Sequence, residues 1–287
     1  MISFTQLGKG VRLGNIMFQY AFLRATAQRL RVKFYCSSWK GDELFNLNDK
    51  QERLTQPEGI TREYQQLSNP GYSQDALLIE DGTEIFGYFQ SEKYYHDPEL
   101  VRQWFSFKEE KIKSIKEKFK NFNFSDSVGM HLRFGDVVGQ LKRPPMRRSY
   151  YQKALSYIQK KDSILVFSDE PERAKKLLDG ISENFFFVTG NKNYEDLYLM
   201  TQCHHFICSY STFSWWGAWL GGDAKDKNRV VVYPKEGQYR PGYGRKAEGV
   251  CCKNWIELSS LRGFWDDYRL VSRLEKRLPK SIVKFFY

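Results

Sequence analysis

The chain has 287 residues, 41% hydrophobic and 16% aromatic, which excludes a disordered tail and suffices for two compact α/β domains of about 130 to 150 residues each. Its 45 Lys and Arg against 34 Asp and Glu give a formal net charge of +11, so the partner should be anionic: a phosphorylated donor, an acidic membrane surface or nucleic acid. Five cysteines (Cys36, Cys203, Cys208, Cys251 and Cys252) are odd in number and scattered, which excludes a disulfide framework and reads as reduced thiols.

In chain order, a strand over 1–7, a helix over 15–30 and a strand over 32–37 make a β-α-β unit, and the polar stretch 41–75 shows no clear period. A strand over 83–89 and a Lys-rich helix over 108–120 follow, and 121–126 reads as an interdomain linker. Beyond it, apolar runs alternate with amphipathic stretches. Strands are predicted over 127–134, 163–168, 184–189, 205–209 and 229–233, and helices over 149–161, 171–179, 194–203 and 213–221. This register predicts a parallel sheet covered on both faces, with ligands outside the carboxyl ends of its strands. The tail over 270–287 sets Arg273, Lys276, Arg277, Lys280 and Lys284 among apolar residues; it suits a solvated basic face or peripheral attachment to acidic lipid. No apolar run approaches the ~20 residues of a membrane span, and residues 1–4 enter a strand directly, so a cytoplasmic chain is expected.

Two segments carry chemistry. In Ser-Tyr-Ser-Thr-Phe-Ser-Trp-Trp-Gly-Ala-Trp-Leu, residues 209–220, the hydroxyls of Ser209, Ser211, Thr212 and Ser214 fall where a strand gives way to a helix. Free backbone N–H groups and the helix dipole favour a phosphate there, although the same residues also make an ordinary N-cap. Upstream, alternation puts His131 and Arg133 on one face just before Gly135 and Asp136. That pattern fits a diphosphate clamp, and equally an arginine paired with Asp136 or Asp169. The basic run Lys142-Arg143-Pro144-Pro145-Met146-Arg147-Arg148 is either a closing loop or a solvated one.

Other motifs fall away. The Gly8-Lys9-Gly10 and Gly14 spacing misses the dinucleotide fingerprint, and no phosphate-binding Gly-Lys-Ser/Thr loop occurs. Cys203, His204, His205 and Cys208 straddle a predicted helix end and a strand, which scatters their side chains and favours core packing over zinc. No basic repeat or zinc-finger spacing accompanies the charge, which counts against nucleic acid.

Five segments together resemble the signature segments of the α-1,2-fucosyltransferases, glycosyltransferase family 11. In order they are Leu13-Gly14-Asn15-Ile16-Met17-Phe18-Gln19-Tyr20-Ala21, His131-Leu132-Arg133-Phe134-Gly135-Asp136, Phe167-Ser168-Asp169, Asp196-Leu197-Tyr198-Leu199-Met200 and residues 211–220. The similarity covers roughly residues 1–220. Two departures bear on the acceptor: Val11-Arg12-Leu13-Gly14-Asn15-Ile16 stands where the family usually has Gly-Gly-Leu-Gly-Asn-Gln, and Phe134 where it usually has a second Arg.

The resemblance implies two Rossmann-like domains facing across a cleft, the GT-B arrangement, with 1–124 on the acceptor side and 125–287 binding the nucleotide sugar. It implies inverting transfer of L-fucose from GDP-β-L-fucose to a glycan hydroxyl, the 2-OH of a galactoside. No cofactor or divalent metal is expected, and the chain has no Asp-x-Asp metal anchor. Carried over residue by residue, Gly14, Asn15, Arg133, Ser211, Thr212, Phe213 and Ser214 hold the donor, and guanine lies near Ser168, Asp169 and Asp196. Arg133 stabilises the leaving diphosphate, Asn15 orients a substrate, and His131 and Asp136 are the candidate bases. The work is then cytoplasmic, at the inner face of a membrane if the basic tail docks there. Two alternatives stay open: another GDP-sugar-dependent transferase, and a nucleotide- or glycan-binding protein without turnover.

Overall fold

The computed structural model describes residues 1–66, 71–135, 146–222, 226, 228–235 and 249–260. Asp136, most of the 142–148 loop and the 270–287 tail lie outside the described residues. The first sheet contains β1 (Ile2–Phe4), β2 (Phe34–Cys36), β3 (Arg62–Gln65) and β4 (Thr83–Phe86), in the order β2-β1-β4-β3 with every pairing parallel. The long α1 (Leu13–Leu30) makes the predicted β-α-β crossover and is buried almost continuously from Leu13 to Ala27. It ends where Arg31 turns left-handed and its N–H returns to the carbonyls of Ala27 and Gln28, a common way to satisfy the last orphan acceptors. The unassigned polar stretch holds α2 (Lys40–Leu44) and β3. Arg62, Glu63 and Gln65 of β3 are exposed at the sheet edge, so this strand carries no apolar signature.

The second sheet contains β5 (Ser127–Leu132), β6 (Ser163–Ser168), β7 (Phe185–Val188), β8 (His205–Ile207), β9 (Val231–Pro234) and β10 (Ile256–Leu258). Its order is β10-β9-β8-β5-β6-β7, again wholly parallel. The crossovers are α5 (Arg148–Leu155), α6 (Pro171–Leu178), α7 (Asn193–Gln202) and α8 (Thr212–Leu220). The chain runs outward from β5 to β7 and then returns to β8 on the other side of β5. The switch point therefore lies between the carboxyl ends of β5 and β8, where open parallel sheets bind ligands. β5 stops at Leu132, short of the predicted 134, because the next N–H groups, of Phe134 and Gly135, turn to the Asp169 carboxylate. The helix predicted over 149–161 closes at Leu155 and tightens into turns through Ile158.

Two helices between the sheets, α3 (Pro98–Trp104) and α4 (Glu109–Lys118), tie the halves together. Asp97 caps α3 through the Leu100 N–H at 3.0 Å, with Pro98 at the first helical position. α4 packs on α7, and Lys118 reaches the Thr189 carbonyl and Asn191 Oδ1. One continuous apolar core runs from Ile2 through α1 and α8 to Cys252, and a second covers the opposite face of the β5 sheet. No helix among the described residues is long and apolar enough to cross a membrane.

Candidate active site

The apolar face of α8 packs against α1 as well as against its own sheet. Phe18 of α1 lies 4.5 Å from the Trp215 ring and 4.8 Å from the Trp216 ring. Each indole N–H of α8 finds a partner on a different segment: Trp215 on the Val250 carbonyl, Trp216 on the Gly14 carbonyl at 2.9 Å, Trp219 on Glu92. Buried indoles usually find such partners, and here the Trp216 bond ties α8 to the start of α1. Gly14 is pressed so closely on the Thr212–Phe213 backbone that a Cβ would lie 2.6 Å from the Phe213 nitrogen. The two N-termini meet almost backbone to backbone. Neither helix has an acidic residue in its first turn or a side-chain cap, and Ser211, the N-cap of α8, keeps its hydroxyl off the helix. Two helix starts not quenched by their own side chains make a setting for an anion.

The carboxyl end of β5 lies beside these helix starts. His131, 5% exposed, bonds through Nδ1 to Ser209 Oγ at 2.6 Å, and its ring lies 6.2 Å from that of Phe213. The Ser209 N–H donates to Ser214 Oγ, and the Ser211 N–H to the Ser209 carbonyl, so the whole 209–214 turn is braced. Beyond His131, the Arg133 guanidinium pairs with Asp169 at 3.3 Å, each side chain about one-fifth exposed at 21% and 22%. The Asp169 oxygens also accept the N–H groups of Phe134 and Gly135 at 3.0 and 2.9 Å. Of the two readings of Arg133, the structure therefore contains the ion pair with Asp169. A guanidinium carries enough donors to serve a second anion as well.

The structure brings Gly14, His131, Ser209, Thr212, Phe213 and Ser214 into one contiguous cluster, and Arg133 follows His131 two residues later, paired with Asp169. Ser168, at the end of β6, accepts the Glu170 N–H. Asp196 in the first turn of α7 accepts from Asn191 at 3.0 Å, and burial pushes its carboxyl up to about 6. No contact links Asp196 to the Arg133 pair among those described. Asn15 accepts from Gln90 Nε2 at 2.8 Å. Gln90 and Trp216 hold site residues in place yet attract no role from the sequence: Gln90 lies in an irregular segment without a motif, and Trp216 reads as ordinary core. The Cys203, His204, His205 and Cys208 side chains separate, His204 to Asp226 and His205 to the Val230 N–H, while both thiols are buried. Among the described residues no group of His, Cys, Asp and Glu is arranged to hold a metal ion.

The model of glycosyl transferase family 11 matches residues 4–259, nearly the whole chain. The chain belongs to glycosyltransferase family 11. An α-1,2-colitosyltransferase of Escherichia coli is 28% identical over 245 residues, covering 72% of this chain and 84% of that protein. The O-antigen biosynthesis glycosyltransferase WbnK of the same organism is 26% identical over 176 residues, 56% of this chain and 57% of its own length. Among solved structures, POFUT1 in complex with GDP-fucose superposes with a TM-score of 0.51 at 11% identity, covering 80% of this chain and 96% of that one, which shows a shared α/β fold.

In this family 11 glycosyltransferase, burial holds the His131 imidazole down at about 4, against an opposing pull from Asp169, so the ring is neutral at neutral pH. His205 is likewise lowered to about 4, by burial and then by His204, and its Nδ1 must stay unprotonated to accept the Val230 N–H. The unfolded chain takes up these protons near 6.5 while the folded chain resists until about 4, so the stabilisation is whole above 6.5 and is lost as the pH falls to 4. At about 1.4 kcal/mol per pH unit, His131 alone accounts for roughly 3 kcal/mol across that window. Asp196, raised to about 6, acts in the opposite direction but is one group against two. The urea midpoint should therefore be clearly lower at pH 4.5 than at pH 7; equal midpoints would contradict a neutral, buried His131.

Proposed function

We propose that the protein transfers L-fucose from GDP-β-L-fucose to the 2-hydroxyl of a galactoside, with inversion at the anomeric carbon and without a divalent metal. The observation that carries this reading is the meeting of the α1 and α8 starts at Gly14 and Thr212–Phe213 beside the Arg133 strand end. Breaking the bond between sugar and diphosphate builds negative charge on the leaving phosphate and oxocarbenium character on the sugar. In this site the charge falls to Arg133, to the hydroxyls of Ser211 and Thr212 and to the N–H groups of Thr212 and Phe213 at the start of α8, while the Ser211 N–H and the buried Ser214 hydroxyl are engaged within the turn.

The remaining roles follow from chemistry. Asp169, whose oxygens serve Arg133 and the Phe134 and Gly135 N–H groups, holds the clamp in register. Asp196 is ionised at neutral pH and suited to accept guanine N–H donors, with Ser168 on the same edge of the sheet. His131 braces the Ser209 turn through Nδ1 and, held neutral by burial, keeps the protonation state that a base requires. Asp136 and His131 are the two candidate general bases for the attacking hydroxyl, which approaches the sugar from the face opposite GDP and so inverts the centre. Asn15, an amide, orients substrate rather than taking a proton.

A second reading changes only the donor sugar. The similar colitosyltransferase supports a GDP-linked dideoxyhexose, since colitose is L-fucose without its 3-hydroxyl. GDP release from GDP-fucose, with and without lactose and in excess chelator, tests the first reading. Lactose-stimulated release that survives chelation is expected. Release only with GDP-colitose would move the assignment to the second reading, and loss under chelator would refute metal independence.

A further inference from the structure

The segment after β4 is held in an unusual conformation from several sides. Phe89 sits in the left-handed region at φ +52°, an unfavourable place for a bulky residue. Its ring stacks on Phe22 at 3.7 Å and meets Phe4 and Tyr94 edge-on. Gln66 Oε1 accepts the N–H groups of both Tyr88 and Phe89, each at 2.9 Å. Gln19 donates to the Gly87 carbonyl at 3.0 Å while its oxygen accepts the Gly8 N–H. At Gly87 there is no room for a side chain, since a Cβ would lie 2.6 Å from that of Gln66. Strain persists only where the surroundings over-determine it, and such places cluster at functional sites.

What this turn delivers is Gln90. The residue is 9% exposed, and its Nε2 donates to Asn15 Oδ1 at 2.8 Å in the first turn of α1, one residue from the Gly14 contact with α8. With Oδ1 facing Gln90, the end of the half-buried Asn15 carboxamide turned away from it is Nδ2, which only donates. We propose that Gln90 is a positioning residue that fixes the Asn15 carboxamide so that it meets its substrate as a hydrogen-bond donor. The ligand group is then an acceptor oxygen, either on the diphosphate of the sugar nucleotide or on a sugar. This assignment rests on the proposed function and deepens it.

The test is a double-mutant cycle in the full chain, with Gln90→Glu and Gln90→Met each made in the wild-type and Asn15→Ala backgrounds. A carboxylate only accepts, so Gln90→Glu makes Asn15 turn its oxygen toward the ligand, whereas Gln90→Met merely releases it. Gln90→Glu should lower kcat/KM about 10-fold or more and Gln90→Met less, and both effects should vanish beside Asn15→Ala, as coupled neighbours require. GDP affinity falling in parallel would place the oxygen on the diphosphate; unchanged GDP affinity with a raised acceptor KM would place it on the acceptor. Losses that persist in full beside Asn15→Ala, or a Gln90→Glu variant no worse than Gln90→Met, would overturn the assignment. If Gln90→Glu fails to fold, the Gln90→Met arm carries the same comparison. A wild-type chain that binds no GDP removes the proposed function itself, and this assignment with it.

Discussion

Arg133→Ala should lower kcat/KM for glycosyl transfer by one to two decades while leaving the thermal midpoint nearly unchanged. A hydrogen bond to a charged group contributes about 1.5–3 kcal/mol, and each 1.4 kcal/mol is a decade in rate. The effect on folding is smaller because the Arg133–Asp169 pair is partly open to water, at 21% and 22% exposure, where ion pairs contribute little. Arg133→Lys should restore only part of the rate, since an ammonium cannot span Asp169 and a phosphate with a planar fork. Asp169→Asn should fall between wild type and Arg133→Ala: it removes the counter-charge and presents an amide where the Phe134 and Gly135 N–H groups need an acceptor. Steady-state kinetics on the three variants would check this, and wild-type kcat/KM in Arg133→Ala would remove Arg133 from the mechanism.

Gly14→Ala should lower stability and abolish GDP binding together. Helix propensity alone predicts the reverse, a gain of about 1 kcal/mol on replacing Gly by Ala inside a helix. At this site the added methyl would lie 2.6 Å from the Phe213 nitrogen and 2.7 Å from both the Thr212 carbonyl carbon and its Oγ1. These are mainly backbone atoms, braced by the Trp216 to Gly14 hydrogen bond, so the strain is not relieved by a rotamer change. Overpacking of this kind costs about 1–3 kcal/mol, which outweighs the propensity gain. The two helix starts that meet at Gly14 are also driven apart. Chemical denaturation and GDP titration of the same variant measure both effects; a stabilised variant that still binds GDP would show that the contact is not part of the site.

The β-α register of the second half was legible because strands of a parallel sheet are buried on both faces and appear as unbroken apolar runs. The stretch Ser-Ile-Leu-Val-Phe-Ser is β6 over the predicted residues, 163–168. β3 was not legible, since an exposed edge strand of Arg, Glu, Tyr and Gln has no apolar face to announce it. α2 and β10, at five and three residues, are too short to show a period. In the site, the chemistry-bearing types stood out singly: glycine before a helix, arginine past a strand, hydroxyls at a helix start. Their neighbours in space did not. Asp169 reads from the sequence as a partner for Arg133 or for guanine, and only the return of the Phe134 and Gly135 N–H groups to it reveals a brace.

Residue order alone determined that this chain builds parallel β-α units, that its cationic and hydroxyl groups gather at strand ends, and that its signature segments are those of family 11. These are local properties, set by periodicity and by the residue types that start helices and end strands. Tertiary structure decided that α8 packs across onto α1, that Gly14 meets Thr212 and Phe213, that His131 is buried with its Nδ1 on Ser209, and that Gln90 holds Asn15. Each of these depends on groups dozens to hundreds of residues apart. Burial, close backbone approach and hydrogen-bond partnership exist only once the chain has folded them together.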